Sequence, residues 1–213
     1  MIRFDRSYQA LAVGVSMLAG FVDAVGFIDS SGFFVSFMTG NSTRLAVGAA
    51  EWQDAALVAG AIILMFLAGV VAGSLVAAYS RRPRAPVVLT LVALLLAVAA
   101  SFRLAGAVPP AIAFLALAMG AANAAIEGRD GAVVGVTYMT GTLVQAGQKI
   151  ANALRGAGDA RWPHHLWLWA GLVAGAIIGA RVALWSPSAA YGLAVMLAGL
   201  LTIRAAMITR SPG

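Results

Sequence analysis

The chain has no cysteine, which excludes disulfides, thiol catalysis and thiolate metal sites. It is nearly as short of charge. Only 10% of its 213 residues are charged, where a soluble domain carries roughly 25%. It also lacks H-E-x-x-H, G-x-S-x-G and P-loop patterns, so an enzyme is not expected, and no cofactor is implied. The only two histidines, His164 and His165, lie beside Trp162, Trp167 and Trp169 and away from any carboxylate cluster. That setting reads as an interfacial belt rather than a metal centre. No stretch of mixed charged sequence is long enough for a domain outside a membrane.

What is there is apolar: 62% hydrophobic residues and a mean hydropathy of +0.92. The composition predicts an all-α polytopic membrane protein whose first partner is the lipid bilayer. Apolar runs fall near residues 9–28, 55–80, 86–105, 108–126, 165–185 and 188–208. Each approaches the ~20 residues that cross a hydrocarbon core, giving six expected spans. The first run resembles a signal peptide, but its pattern recurs internally, so it is read as part of the fold. Segments 33–50 and 132–153 differ. Thr39, Gly40, Asn41, Ser42, Thr43 and Arg44 interrupt the first. Thr140, Gly141, Thr142, Gln145, Gln148 and Lys149 interrupt the second.

The chain repeats itself. "AGFVDAVGF" at Ala19 aligns with "MGAANAAIE" at Met119, so that Gly20 meets Gly120 and Asp23 meets Asn123. Val35 to Gly40 then align with Val136 to Gly141, and "AGVVAG" at Ala68 with "AGAIIG" at Ala174. The halves are 1–106 and 107–213, one integrated membrane domain. The net charge of +6 falls in short clusters between apolar runs without interleaved aromatics. That argues for topology signals and against nucleic acid as a partner. Arg3, Arg6 and the "RRPR" at Arg81 share one side only if an even number of crossings separates them. The segment around Thr39 must therefore enter and return. The same rule puts Glu127, Arg129, Asp130, Lys149, Arg155, Arg161 and Arg210 inside, and Asp29, Glu51 and Asp54 outside. The second half is then inverted relative to the first, with both termini cytoplasmic. Glycine-interrupted segments at matching places in inverted halves point to a site near the midplane.

These stretches carry a resemblance. "GFVDAVGF", "FMTGN", "GAANAAIE" and "TYMTGTL" resemble the YoaK-like family of bacterial integral membrane proteins, a domain of unknown function. The likeness covers nearly the whole chain. It implies a multi-pass protein of the bacterial cytoplasmic membrane and names no substrate.

Several residues are candidates for function. Asp23, an acid within an apolar helix, could carry a proton, bind a cation or hold a substrate amine. It could equally cap the re-entrant segment or pair with Arg44. Its counterpart Asn123 keeps the shape without the charge. Thr39, Gly40, Asn41, Thr140, Gly141 and Thr142 could coordinate a small polar or anionic ligand. They could also cap half-helices beginning beyond the glycines. Phe37 and Tyr138 read as a wall or gate, or as core. Gly69, Gly73, Gly175 and Gly179 form small-xxx-small pairs suited to close helix packing between the halves, or to a homodimer seam. The expectation is a small secondary transporter or channel-like permease. The alternative is a non-transporting assembly factor or sensor whose broken helices are only structural.

Overall fold

A computed structural model describes residues 6–126, 137–156 and 162–210. Arg3, Glu127, Arg129, Asp130, Val136 and Arg161 lie outside the described residues, as do the side chains of Arg6 and Arg210. The described chain folds into eight α-helices and no strand: α1 Arg6–Asp29, α2 Met38–Ala50, α3 Ala55–Tyr79, α4 Arg84–Leu104, α5 Val108–Ala122, α6 Met139–Leu154, α7 Trp162–Trp185 and α8 Pro187–Arg210. In hydrocarbon a backbone must satisfy its own hydrogen bonds, so long apolar runs become helices. Proline marks their starts. Pro83 precedes α4, Pro109 and Pro110 open α5, Pro163 is the second residue of α7, and Pro187 opens α8. There the missing N–H is no loss. Helix α4 stops at Gly106, whose φ of +78° suits glycine. Ala107 N–H returns to Phe102 and Gly106 N–H to Arg103, closing the helix end.

Among the described residues five helices are long and apolar enough to cross a membrane: α1, α3, α4, α7 and α8. In the expected sixth span, 108–126, the regular helix α5 takes up only 15 residues. At 1.5 Å per residue it covers about 22 Å, less than the ~30 Å of a hydrocarbon core. Beyond Ala122 the N–H groups of Asn123, Ala124 and Ala125 bond three residues back instead of four. The chain thus tightens into a 3₁₀-like turn while staying largely buried.

Helices α1 and α5 form the centre. Of the apolar window of α1, 61% is buried, against 17% for α3 and α8. Helix α1 packs on α7, α8 and α5, and α5 packs on α3, α4 and α1. Helix α4 lies on α8, while α2 lies on α3 and α6 on α7. Exchanging α1–α4 for α5–α8 maps this set of partners onto itself.

Glycines make the tightest crossings. Gly69 faces the Leu117 carbonyl and Gly73 the backbone of Ala121, joining α3 to α5. Gly175 faces the Met17 carbonyl and Gly179 that of Phe21, joining α7 to α1. Gly120 and Gly20 answer from the other side, against Phe66 and Leu172. Numbers rise together along each pair, so α3 runs parallel to α5, and α7 to α1. Arg103 of α4 meets Asp29 at the end of α1, and only three residues separate α4 from α5. The end of α1 and the starts of α5 and α3 therefore share one end of the bundle. Residues 30–54, with α2, begin and finish there. At the opposite end Arg84 Nε donates to the Ala124 carbonyl over 2.8 Å. That places the end of α5 beside the start of α4.

Candidate functional site

Between α1 and α2 the chain leaves helical geometry for residues 30–37, with Ser31 at φ 59° and Gly32 at φ +110°. Four consecutive N–H groups there lack helical partners, and side chains supply all four. Ser30 Oγ accepts from Phe33 N at 3.0 Å, and Asn41 Oδ1 from Phe34 N at 3.0 Å. Asp23 Oδ1 accepts from Val35 N at 2.8 Å and from Ser36 N at 2.7 Å. Asn41 Nδ2 donates to the Phe34 carbonyl, so its amide matches both polar groups of one residue. Unpaired, each buried N–H would cost about 1–3 kcal/mol. This set is what allows irregular backbone to persist inside a membrane protein.

The second half repeats the device without the charge. Asn123 Oδ1 accepts from the Thr137 hydroxyl at 3.0 Å and from Thr137 N at 3.4 Å. Its Nδ2 donates to Met119 O at 2.9 Å. Asp23 and Asn123, aligned in the repeat, thus hold the aligned residues Ser36 and Thr137.

Two local expectations are corrected. The short helices begin before their glycines: the residues flanking their starts are Phe37 and Tyr138, and no side chain caps either. Thr39 and Asn41, and equally Thr140 and Thr142, therefore sit inside the first turns. The reason is that Asn41 is committed to Phe34, while the Thr142 hydroxyl donates back to Tyr138 O. Nor does Arg44 pair with Asp23. Its guanidinium lies 5.1 Å from the centre of the Phe33 ring, a cation–π contact.

The repeated glycine has a packing cause. Gly40 lies against the Phe37 ring and Gly141 against the Tyr138 ring, so in each motif an aromatic folds over the glycine three residues on. Phe37 also meets Phe34 edge-on at 5.2 Å. Phe37 is 41% exposed and Tyr138 69%, so both rings keep an outer face open. Thr39 and Thr140 are exposed, as are Gln145 and Gln148, whereas Asn41 is fully buried. Met139, at the start of α6, reaches the other half, accepting a weak contact from the Ser16 hydroxyl at 3.9 Å.

Beside Asp23 lies a recess of ≈ 250 Å³. Gly20, Asp23, Ala24, Phe27 and Ile28 of α1 line it, with Phe34 and, from α7, Leu172, Ala176 and Ala180. Asp23 is the one charged group in this lining. A second polar cluster ties helix ends together. Arg103 Nε stands 2.8 Å from Asp29 Oδ2, a close ion pair without hydrogen-bond alignment, and Tyr191 OH donates to the same oxygen at 3.0 Å. In the sequence Asp29 reads only as a topology marker, and nothing there singles out Arg103 or Tyr191. No repeat or motif flags them, and only the fold brings α1, α4 and α8 together. His164 and His165 lie edge-on at 5.8 Å near the start of α7.

The family model described as "Protein of unknown function (DUF1275)" matches residues 11–204. The chain belongs to this family. That agrees with the YoaK-like resemblance carried by the motifs. The UPF0700 transmembrane protein RA0705 of Rhizobium meliloti (strain 1021) is 38% identical over 190 residues, covering 85% of this chain and 81% of that protein. No solved structure matches. The family match, the transmembrane relative and the long apolar helices make the chain a multi-pass membrane protein.

Proposed function

We propose that the chain is a small secondary transporter or channel-like permease for a small polar solute in the bacterial cytoplasmic membrane. Two inverted halves, 1–106 and 107–213, each contribute three spans and one re-entrant segment. The self-mapping set of helix partners and the parallel α1/α7 and α3/α5 pairs support that architecture. The short α5 reaches a spanning length if its turn through Ile126 is counted.

One observation carries the functional reading. The recess holding Asp23 is walled by α1 from one half and α7 from the other. A solute there would touch both halves, and movement between the halves would change its access. Thr39 and Thr140 lie outside the lining of this recess, exposed in the first turn of each short helix. An anion beside Asp23 would meet a like charge, so the anionic part of the expected solute class loses ground at this recess.

The test is a metabolite panel screened against the purified protein by thermal unfolding, with the best ligands carried to uptake in reconstituted vesicles. Ligand-dependent stabilisation and protein-dependent uptake are expected. If no ligand stabilises the protein and loaded vesicles take up solutes no faster than empty ones, the permease reading fails. A second reading would then stand, a non-transporting assembly factor or sensor. It has its own support: Asp23, Asn41 and Asn123 are each bonded to nearby backbone, as purely structural groups would be.

A further inference from the structure

We infer that the recess beside Asp23 binds a small amphiphilic ammonium ion, a molecule whose polar group is one cationic nitrogen on a compact hydrophobic body. This rests on the permease reading and names the solute class of its site. Charge is the first argument. Among the described residues no Lys or Arg pairs with Asp23, since Arg44 lies over Phe33 and Arg103 beside Asp29. Hydrogen-bond donors hold the carboxylate in place, but no cation answers it. A carboxylate set in an apolar lining favours a positive partner and refuses a negative one.

The walls give the second argument. Apart from Asp23 the lining is glycine, alanine, aliphatic groups and two phenyl rings. A sugar or a free amino acid would leave polar groups unpaired against these walls. The rings of Phe27 and Phe34 stand 4.8 Å apart at 39°, beside the carboxylate, and aromatic faces attract ammonium groups. Size is the third argument. A cavity of about 150 Å³ takes up benzene. At ≈ 250 Å³ the recess has room for one ring and a short aminoalkyl arm.

The test uses the full chain in nanodiscs and three probes of similar size: 2-phenylethylammonium, uncharged 2-phenylethanol and anionic 3-phenylpropanoate. Equilibrium dialysis at neutral pH measures binding. Saturable binding of the ammonium is expected, about tenfold or more tighter than either analogue, as befits a desolvated charge pair. Asp23→Asn should weaken it by at least about tenfold. Ala180→Leu, which narrows the recess from the α7 wall and leaves Asp23 in place, should weaken it as well and decides the matter if Asp23→Asn does not fold. Equal binding of alcohol and ammonium, unchanged affinity in the variants, or no saturable binding overturns the inference. If the ammonium fails while another metabolite stabilises the protein, the cation class falls and the permease reading survives. If the ammonium binds by these criteria but is not taken up by vesicles, the site stands and transport falls.

Discussion

Asp23 accepts two backbone N–H groups through one oxygen, and that geometry separates two substitutions. Asn at this position keeps an oxygen in place, as Asn123 does for Thr137 in the other half. Asp23→Asn should therefore fold, losing only the charge near the start of α2, a loss of about 0.3–1 kcal/mol. Asp23→Ala leaves Val35 and Ser36 N–H groups without an acceptor and should lose about 2–6 kcal/mol, at ~1–3 for each. Thermal unfolding of both variants in one detergent checks the order. Equal melting temperatures for the two would mean that water satisfies the loop and that the carboxylate does not hold it. An acid inside an apolar run was legible in the sequence as exceptional. Its partners were not, because Val35 and Ser36 meet it through backbone atoms, which any residue type possesses. Asn41 was legible as polar but not as buried. That it turns back to Phe34 depends on the path between Ser30 and Phe37, which no periodicity describes.

Helix packing depends on which glycines touch a neighbour. On Gly73 a Cβ would stand 2.9 Å from the Cα of Ala121, and on Gly179 it would stand 2.9 Å from the Cα of Phe21. Backbone cannot swing aside as a side chain can. Gly73→Leu and Gly179→Leu should therefore separate α3 from α5 and α7 from α1, costing at least the ~1–3 kcal/mol of an overpacked core. Lower yield and polydisperse elution in size-exclusion chromatography are expected. Gly147, inside α6, is the contrast, with nothing within 4 Å of an added Cβ. Gly147→Ala should raise stability by up to about 1 kcal/mol through helix propensity alone. If the two leucine variants elute as sharply as the parent, those helix faces do not touch. The glycine spacing was legible because small residues four apart make a stripe. The short α5 was not, since the apolar run continues past Ala122 while its hydrogen bonding changes. Hydropathy measures side chains and says nothing of where the backbone tightens.

For the whole molecule, orientation follows from charge and from which helix ends meet. Residues 30–54 begin and finish at the end of the bundle where Asp29, Arg103 and Tyr191 meet. Glu51 and Asp54 lie at that end, and the loop from Ala105 to Ala107 there is uncharged. The opposite end carries Arg81, Arg82 and Arg84. Positive charge in short loops stays on the cytoplasmic side, so the Arg81–Arg84 end is expected inside. This much was legible from arginine positions and from one parity argument. The packing of α4 against α8 was not, because those helices share no motif. A reporter read only in the cytoplasm, fused after Arg84 or after Gly213, should be active at both points, and fusions after Gln53 and Gly106 should be silent. A cytoplasmic signal after Gln53 with a silent fusion after Arg84 would reverse the whole orientation if a reporter at Met1 is silent as well, and would mean that the α2 segment crosses the membrane if that reporter is active. A cytoplasmic signal after both Gln53 and Arg84 would mean that α3, the helix between those two points, does not cross the membrane. A crossing α2 would also require the parallel α3/α5 pair to be wrong, because that pair places the start of α3 at the same end as the end of α1.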